Sequence, residues 1–260
     1  MLLVIDIGNT RVKWALADSA GMLSEQGACM HAEVADSRLL VAAKKAKSAF
    51  VSNVAEEDIY NKINQLIAPL PMPVLLASDN ACGVKNLYEQ PKRLGTDRWA
   101  AAVAAWHLTQ KPSVIVNAGT AITIDTINII GSFLGGSIQP GLRLMHESLC
   151  KQTAQLKMPD NAQKNPSGDI KVFPKNTPDA ITTGCINAVI GAIMLTSHRH
   201  TVHYGSAPAL IITGGDADEI SRALKDILKD SLKDSLIDEP KQVIIAHDLV
   251  LQGLVLLAKP

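Results

Sequence analysis

Aromatic side chains are scarce: three Trp, three Tyr and three Phe in 260 residues. So few rings leave no series of stacking platforms of the kind that single-stranded nucleic acids require. Net charge is missing as well. Twenty-five Lys and Arg face twenty-five Asp and Glu, and a formal charge of zero provides no basic field for a polyphosphate backbone. Nucleic acid is therefore not an expected partner. The four cysteines, Cys29, Cys82, Cys150 and Cys185, lie too far apart for a zinc knuckle or a redox CxxC pair, so buried structural thiols are expected. No uninterrupted apolar stretch reaches the roughly 18 to 20 residues of a spanning helix, and the opening MLLVID lacks the charged start of a secretory signal. A cytoplasmic protein with no membrane partner is the expectation. Two nucleotide signatures are also absent: no GxxxxGK[ST] follows a strand and no GxGxxG opens a helix, which closes the P-loop and Rossmann routes.

What is present is a large apolar fraction, 47% of residues, enough for one large domain or two small ones. Leu2 to Ile7 is an apolar run of strand length, Gly8-Asn9-Thr10 a polar turn, and Arg11 to Leu16 an alternating second strand. Helices are expected over 34–47 and 56–68 and strands over 49–54 and 73–77, the alternation typical of α/β folds. Residues 79–95 read as a long polar loop, followed by an Ala-rich helix from Thr96 able to pack close to a neighbour. Beyond Pro112 the opening pattern recurs: an apolar strand ending in Asn117-Ala118-Gly119-Thr120, a second strand through Asp125, then a segment over 131–139. This recurrence predicts a duplication with a boundary near residue 110, giving lobes 1–110 and 111–260. Helices are expected over 145–156 and 179–197, joined by a polar connection over 159–177. A buried strand over 209–213 runs into Gly214-Gly215, glycines that would let an adenine lie flat on the backbone. A last apolar stripe, Leu224 to Leu236, passes through a KDSL-like repeat with a solvated face. His198, Arg199, His200 and His203 read as a polar helix end, since no carboxylate or thiol completes a metal set.

Phosphate can be held without a P-loop by the backbone NH groups and small hydroxyls of a hairpin turn, with a carboxylate attending the metal. Asp6, Ile7, Gly8, Asn9 and Thr10 have the right chemistry, in that Gly8 permits close approach, Asn9 and Thr10 donate, and Lys13 adds positive charge. An ordinary hairpin with an edge Asp fits the same residues, but the second turn at Thr120 supplies the partner that two-lobed nucleotide sites use. Asp97 follows a Gly and a polar loop, where a carboxylate can orient an alcohol and accept its proton. The pair Thr96-Asp97 equally suits a helix start, with a capping hydroxyl and a first-turn acid. Tyr88 can hydrogen-bond a ligand or cover a lobe edge, and Thr177 before Pro178 can cap a helix.

Taken together, Asp6-Ile-Gly-Asn-Thr10, Tyr88 with Pro91, Gly95-Thr-Asp-Arg98, Gly119-Thr120-Ala121, the 135–141 GGSIQPG stretch and Lys175-Asn-Thr177 resemble the motifs of type III pantothenate kinases. The resemblance implies an α/β fold of two ribonuclease-H-like lobes of the actin, Hsp70 and sugar-kinase type, with nucleotide between them. It implies ATP-dependent phosphorylation of pantothenate, the first step of coenzyme A synthesis. It assigns ATP to Asp6, Ile7, Gly8, Asn9, Thr10, Arg11, Val12, Lys13 and Thr120, with Mg2+ or another divalent ion held through ATP near Asp6. Pantothenate falls to Tyr88, Gly95, Thr96, Asp97, Arg98 and Thr177, with Asp97 as the catalytic base, and the family is homodimeric. One position departs: Asn117 stands where relatives have the Asp associated with activating K+ or NH4+, and its neutral carbonyl oxygen would hold a monovalent cation less strongly. Two alternatives share the motifs: a sugar kinase on the same scaffold, and a catalytically weak accessory-factor-like regulator.

Overall fold

A computed structural model describes residues 1–152, 171–231 and 242–259. The chain divides into two compact units, one of Met1–Gln110, Ile129–Leu134 and Asp248–Pro260, the other of Lys111–Asn128 and Gly135–His247. Two stretches therefore cross the single boundary near residue 110: a short excursion at 129–134 and the last helix both belong with the N-terminal unit.

In the first unit β1 (Leu2–Ile7) and β2 (Arg11–Ala17) form the expected antiparallel hairpin, with Ile7 opposite Val12 next to the turn. β3 (Leu23–Met30) extends it on one side and β4 (Ser48–Asn53) pairs parallel with β1 on the other, in the order β3-β2-β1-β4. β3 escapes sequence reading because its residues are mostly exposed and show no sustained apolar alternation. A single helix over 34–47 does not form. A 3-10 helix at His31–Asp36 stops where Ser37 turns back to bond the Val34 carbonyl with both its NH and its hydroxyl, and α1 (Leu39–Ala43) begins separately. α2 (Glu57–Ile67) buries Ile59, Ile63 and Ile67, one stripe at four-residue spacing, against a core with Leu3, Ile5, Ile7, Trp14 and Val51.

The strand expected over 73–77 reduces to one bridge, Val51 with Val74. Pro71 and Pro73 offer only carbonyls to Ala49 and Val51, so a continuous ladder cannot form. After β5 (Asn80–Ala81) and β6 (Val84–Asn86), α3 runs from Thr96 to Thr109 and is buried from Arg98 to Ala105.

The second unit repeats the plan. β7 (Ser113–Ala118) and β8 (Ala121–Ile127) form a hairpin, β9 (Ser132–Pro140) follows, and β10 (Ala209–Gly214) pairs parallel with β7 and with β11 (Gln242–Ile245). The order β11-β10-β7-β8-β9 mirrors a hairpin extended by a parallel strand. One face, bearing Val114, Val116, Ile122, Ile124, Leu210 and Ile212, packs on α5 (Thr177–Tyr204) and α6 (Ala217–Ser231), while α4 (Leu142–Gln152) lies against α5. α5 is long and apolar enough to span a bilayer, yet its Ile186, Val189, Ile190 and Ile193 are core residues of this unit. Most of the 159–177 connection and the part of the KDSL-like stripe beyond Ser231 lie outside the described residues.

α7 (Leu249–Leu257), which the sequence reading missed, packs along the Ala-rich face of α3 within the first unit. A Cβ at Gly253 would fall far inside contact distance of the Ala100 carbonyl, so only glycine permits this approach. Gly253→Ala should push the two helices apart and destabilise the fold at the upper end of the ~1 to 3 kcal/mol usual for overpacking. Chemical denaturation would check this, and an unchanged midpoint would refute it.

Of the cysteines, Cys29 and Cys185 are buried, Cys150 is half-buried and Cys82 is exposed in a left-handed turn. The expectation of four buried thiols is thus corrected for two of them.

Candidate active site

Strand register builds the first cluster. Asp6 on β1 sits opposite Lys13 on β2 and beside Ser52 on β4, so the three share one face of the sheet. That face is the one opposite the Leu3, Ile5 and Ile7 core, and α3 and α7 pack there. The Asp6 Oδ1 atom is buried with no hydrogen-bond partner. Burial, and next the negative charge of Asp97, push the Asp6 carboxyl up to about 7, while Lys13 and a hydrogen bond from Ser52 oppose the shift. A carboxylate left short of partners beside a glycine turn is chemically suited to a divalent cation.

The turn itself is braced. Gly8 NH bonds the Arg11 carbonyl at 3.1 Å, and the Gly8 carbonyl accepts from His31 Nε2 at 2.8 Å. Asn9 and Arg11 are exposed, Thr10 and Lys13 half-buried, and Ile7 and Val12 buried in the core. Ile7 and Val12 thus offer backbone only.

α3 supplies the second part. Gly95, not Thr96, is its N-cap. The Thr96 hydroxyl is directed instead at Ser52 Oγ, 3.0 Å away, and at the Asn53 carbonyl, 3.5 Å away. The capping role foreseen for Thr96 is therefore incorrect. Asp97 Oδ1 accepts from the Arg98 NH at 2.8 Å, and a Cβ at position 95 would come within 2.8 Å of the same oxygen. Glycine at 95 is what gives the acid its room. Arg98 is buried, its guanidinium carbon 5.7 Å from the Tyr88 ring centre and 5.9 Å from that of Phe133. Tyr88 is further held by its NH on Asn86 Oδ1, and buried Asn86 donates to the Ser78 carbonyl. Asp6, Lys13, Thr96, Asp97, Arg98 and Tyr88 all belong to the first unit.

In the second unit the turn Gly119-Thr120 closes with Gly119 NH on the Ala121 carbonyl at 3.2 Å, matching the first turn, and Gly141 NH bonds the Thr120 carbonyl at 2.9 Å. Thr120 is exposed. Gly214 is not the open adenine platform foreseen: a Cβ there would collide with the Ala118 carbonyl, so its absence serves strand packing. Gly215 alone faces open space. Half-buried Asn117 lies between Thr123 on β8 and Thr213 on β10, and Thr123 Oγ1 is buried without a partner. These neutral oxygens suit a weakly held monovalent cation. Buried Asp125 sits opposite Ile115, on the same face as Asn117.

Asn176, not Thr177, caps α5, its Oδ1 accepting from Asp179 NH at 2.9 Å. Thr177 lines a cavity of about 890 Å³ between α4 and α5, with Met145, Lys175 and Cys185.

Sequence reading missed Ser52, His31, Asn86 and Phe133. Only Ser52 left a signal: a polar residue interrupting an apolar strand, aligned by register with Asp6.

The family model described as type III pantothenate kinase matches residues 2–199. The type III pantothenate kinase of Dechloromonas aromatica is 40% identical over 224 residues, 85% of this chain and 90% of its own. Among solved structures, a glucokinase from an Antarctic psychrotroph superposes with a TM-score of 0.50 at 12% identity, covering 100% of this chain and 99% of its own. The activator of the 2-hydroxyisocaproyl-CoA dehydratase of Clostridium difficile gives 0.53 at 10% identity, covering 99% of this chain and 92% of its own. These likenesses establish the two-lobed actin, Hsp70 and sugar-kinase fold.

Proposed function

Because the chain belongs to the type III pantothenate kinase family, we propose a division of labour among its residues for moving the γ-phosphoryl group of ATP to the primary hydroxyl of pantothenate. The enzyme is a kinase of coenzyme A synthesis. The observation that best supports the division is the Thr96 hydroxyl 3.0 Å from Ser52, which brings the start of α3, and Asp97 with it, to the strand in register with Asp6.

Asp97 orients the pantothenate hydroxyl and takes its proton as the oxygen bonds to phosphorus and the bond to ADP breaks. In the first unit the turn amides at Gly8, Asn9 and Thr10, with Lys13, hold phosphate oxygens, and in the second unit Thr120 takes the corresponding role. Asp6 would hold the divalent ion that accompanies ATP, which when bound offsets charge on the transferred group. Arg98 fixes Tyr88 through its cation–π contact, and both face pantothenate with Gly95 and Thr96. Thr177, at the rim of its own cavity in the second unit, is the further residue that the family resemblance assigns to pantothenate. Asn117, with Thr123 and Thr213, is the position for a weakly bound K+ or NH4+. We further place the enzyme in the cytoplasm and read it as a homodimer, the latter supported by the exposed Leu195 and Val202, seven residues apart on α5.

The test is ADP formation by the purified protein with pantothenate beside a panel of hexoses, with and without potassium. Turnover on pantothenate alone is expected. Turnover on a hexose would favour the sugar-kinase alternative, and ligand binding without ADP formation the regulatory one.

A further inference from the structure

Ser52 is wholly buried in β4, and its hydroxyl has two neighbours from different elements. One is the Asp6 carboxyl, its register neighbour on β1. The other is Thr96 Oγ1, 3.0 Å away in the first turn of α3. A hydroxyl has one proton to give and lone pairs to accept. Either hydroxyl can donate to the other, and when Thr96 gives its proton to the Asn53 carbonyl 3.5 Å away, Ser52 donates to Thr96. Thr96 precedes Asp97 directly, and Gly95 leaves that first turn without a side-chain cap. The Ser52–Thr96 bond thus joins the strand beside the acid at the phosphate turn to the turn of helix carrying the second acid. The Ser52 side chain faces away from the Leu3, Ile5 and Val51 core, toward the side on which α3 packs.

We propose that Ser52 is a positioning residue of the phosphoryl-transfer site, its hydroxyl tying β4, the strand in register with Asp6, to Thr96 on α3 and thereby fixing Asp97 relative to the phosphate turn. The proposal rests on the roles given above to Asp6 and Asp97. It identifies the link that keeps the nucleotide side and the acceptor side of the first unit in step. Loss of the link lets the start of α3 shift, and misplacement by about an ångström is enough to cost up to a hundredfold in rate.

Kinetics on the full chain test it. Ser52→Ala should lower kcat about tenfold or more, with KM for ATP nearly unchanged and the thermal midpoint close to wild type. Thr96→Val, which keeps shape but removes the hydroxyl, should do the same, and Thr96→Ser, which retains it, should recover most of the rate. The double variant Ser52→Ala/Thr96→Val should be no slower than the slower single, because one link is being cut twice. In an Asp97→Asn background, Ser52→Ala should cost nothing further. Wild-type kcat in Ser52→Ala while Asp97→Asn is inactive overturns the proposal alone, as do multiplicative losses in the double variant. Wild-type kcat in Asp97→Asn overturns the reading of the acid and this proposal with it. Thr96→Val keeps the test open should Ser52→Ala not fold.

Discussion

Asp97→Asn is expected to lose at least about a hundredfold in kcat, the lower range for removal of a general base, while keeping its fold and its KM for ATP. The substitution is clean for a local reason. Asp97 Oδ1 accepts the Arg98 NH, and an amide oxygen can accept the same bond, so the first turn of α3 remains satisfied. What disappears is the site for a proton. If Asp97 merely stabilised the helix start through the dipole, the change would be worth about 0.3 to 1 kcal/mol of stability and leave turnover intact. Single-turnover ADP formation together with a thermal melt separates the two. Turnover near wild type with a lowered midpoint would return the residue to a structural role.

Asp6→Asn should divide function from stability. The Asp6 carboxyl is raised from 3.8 to about 7 in the folded chain, chiefly by burial. Below its unfolded value of 3.8 it is protonated in both folded and unfolded chains and costs nothing. Between that value and about 7 the unfolded chain releases the proton while the folded one retains it, so stability falls as pH rises. Above about 7 the penalty is complete, on the order of 4 kcal/mol for a shift of about three pKa units. Glu219, raised to about 7 by burial and by Asp216, acts in the same direction. Asn cannot ionise, so the variant should gain stability over wild type, by up to a few kcal/mol at about pH 8 and much less at about pH 5. Its kcat/KM for ATP should nonetheless drop about a hundredfold, since the negative charge that would hold the divalent ion beside the phosphates is lost. Urea melts at the two pH values provide the check. A gain equal at both would mean that ionisation of Asp6 is not the source.

Much of this arrangement was legible in the residues themselves. Both hairpins, their turns at Gly8 and Gly119, and the helix carrying Asp97 follow from apolar runs broken by small polar residues, signals that are local in the chain. Ser52 and Asn86 were not legible, because their significance depends on what stands beside them: strand register brings Ser52 to Asp6, and loop closure brings Asn86 to Tyr88. The same holds for corrections. Thr96 has the composition of a cap, yet a tertiary partner on β4 draws its hydroxyl away. Gly214 has the look of a ligand platform, yet its bare Cα answers to the crowding of β7. The continuous helix over 34–47 fails at one Ser whose bonds to Val34 outcompete propagation.

The glycine contact between α7 and α3 sets an order on biosynthesis. The helix that presents Asp97 has been translated well before Gly253, but its Ala100 surface is covered only by residues some 150 positions further along. A nascent polypeptide that has emerged only as far as α3 would have the acid, the phosphate turn and the sheet without the element that seats them. On the reading proposed above, phosphoryl transfer is expected only once α7 has been translated and has docked on α3.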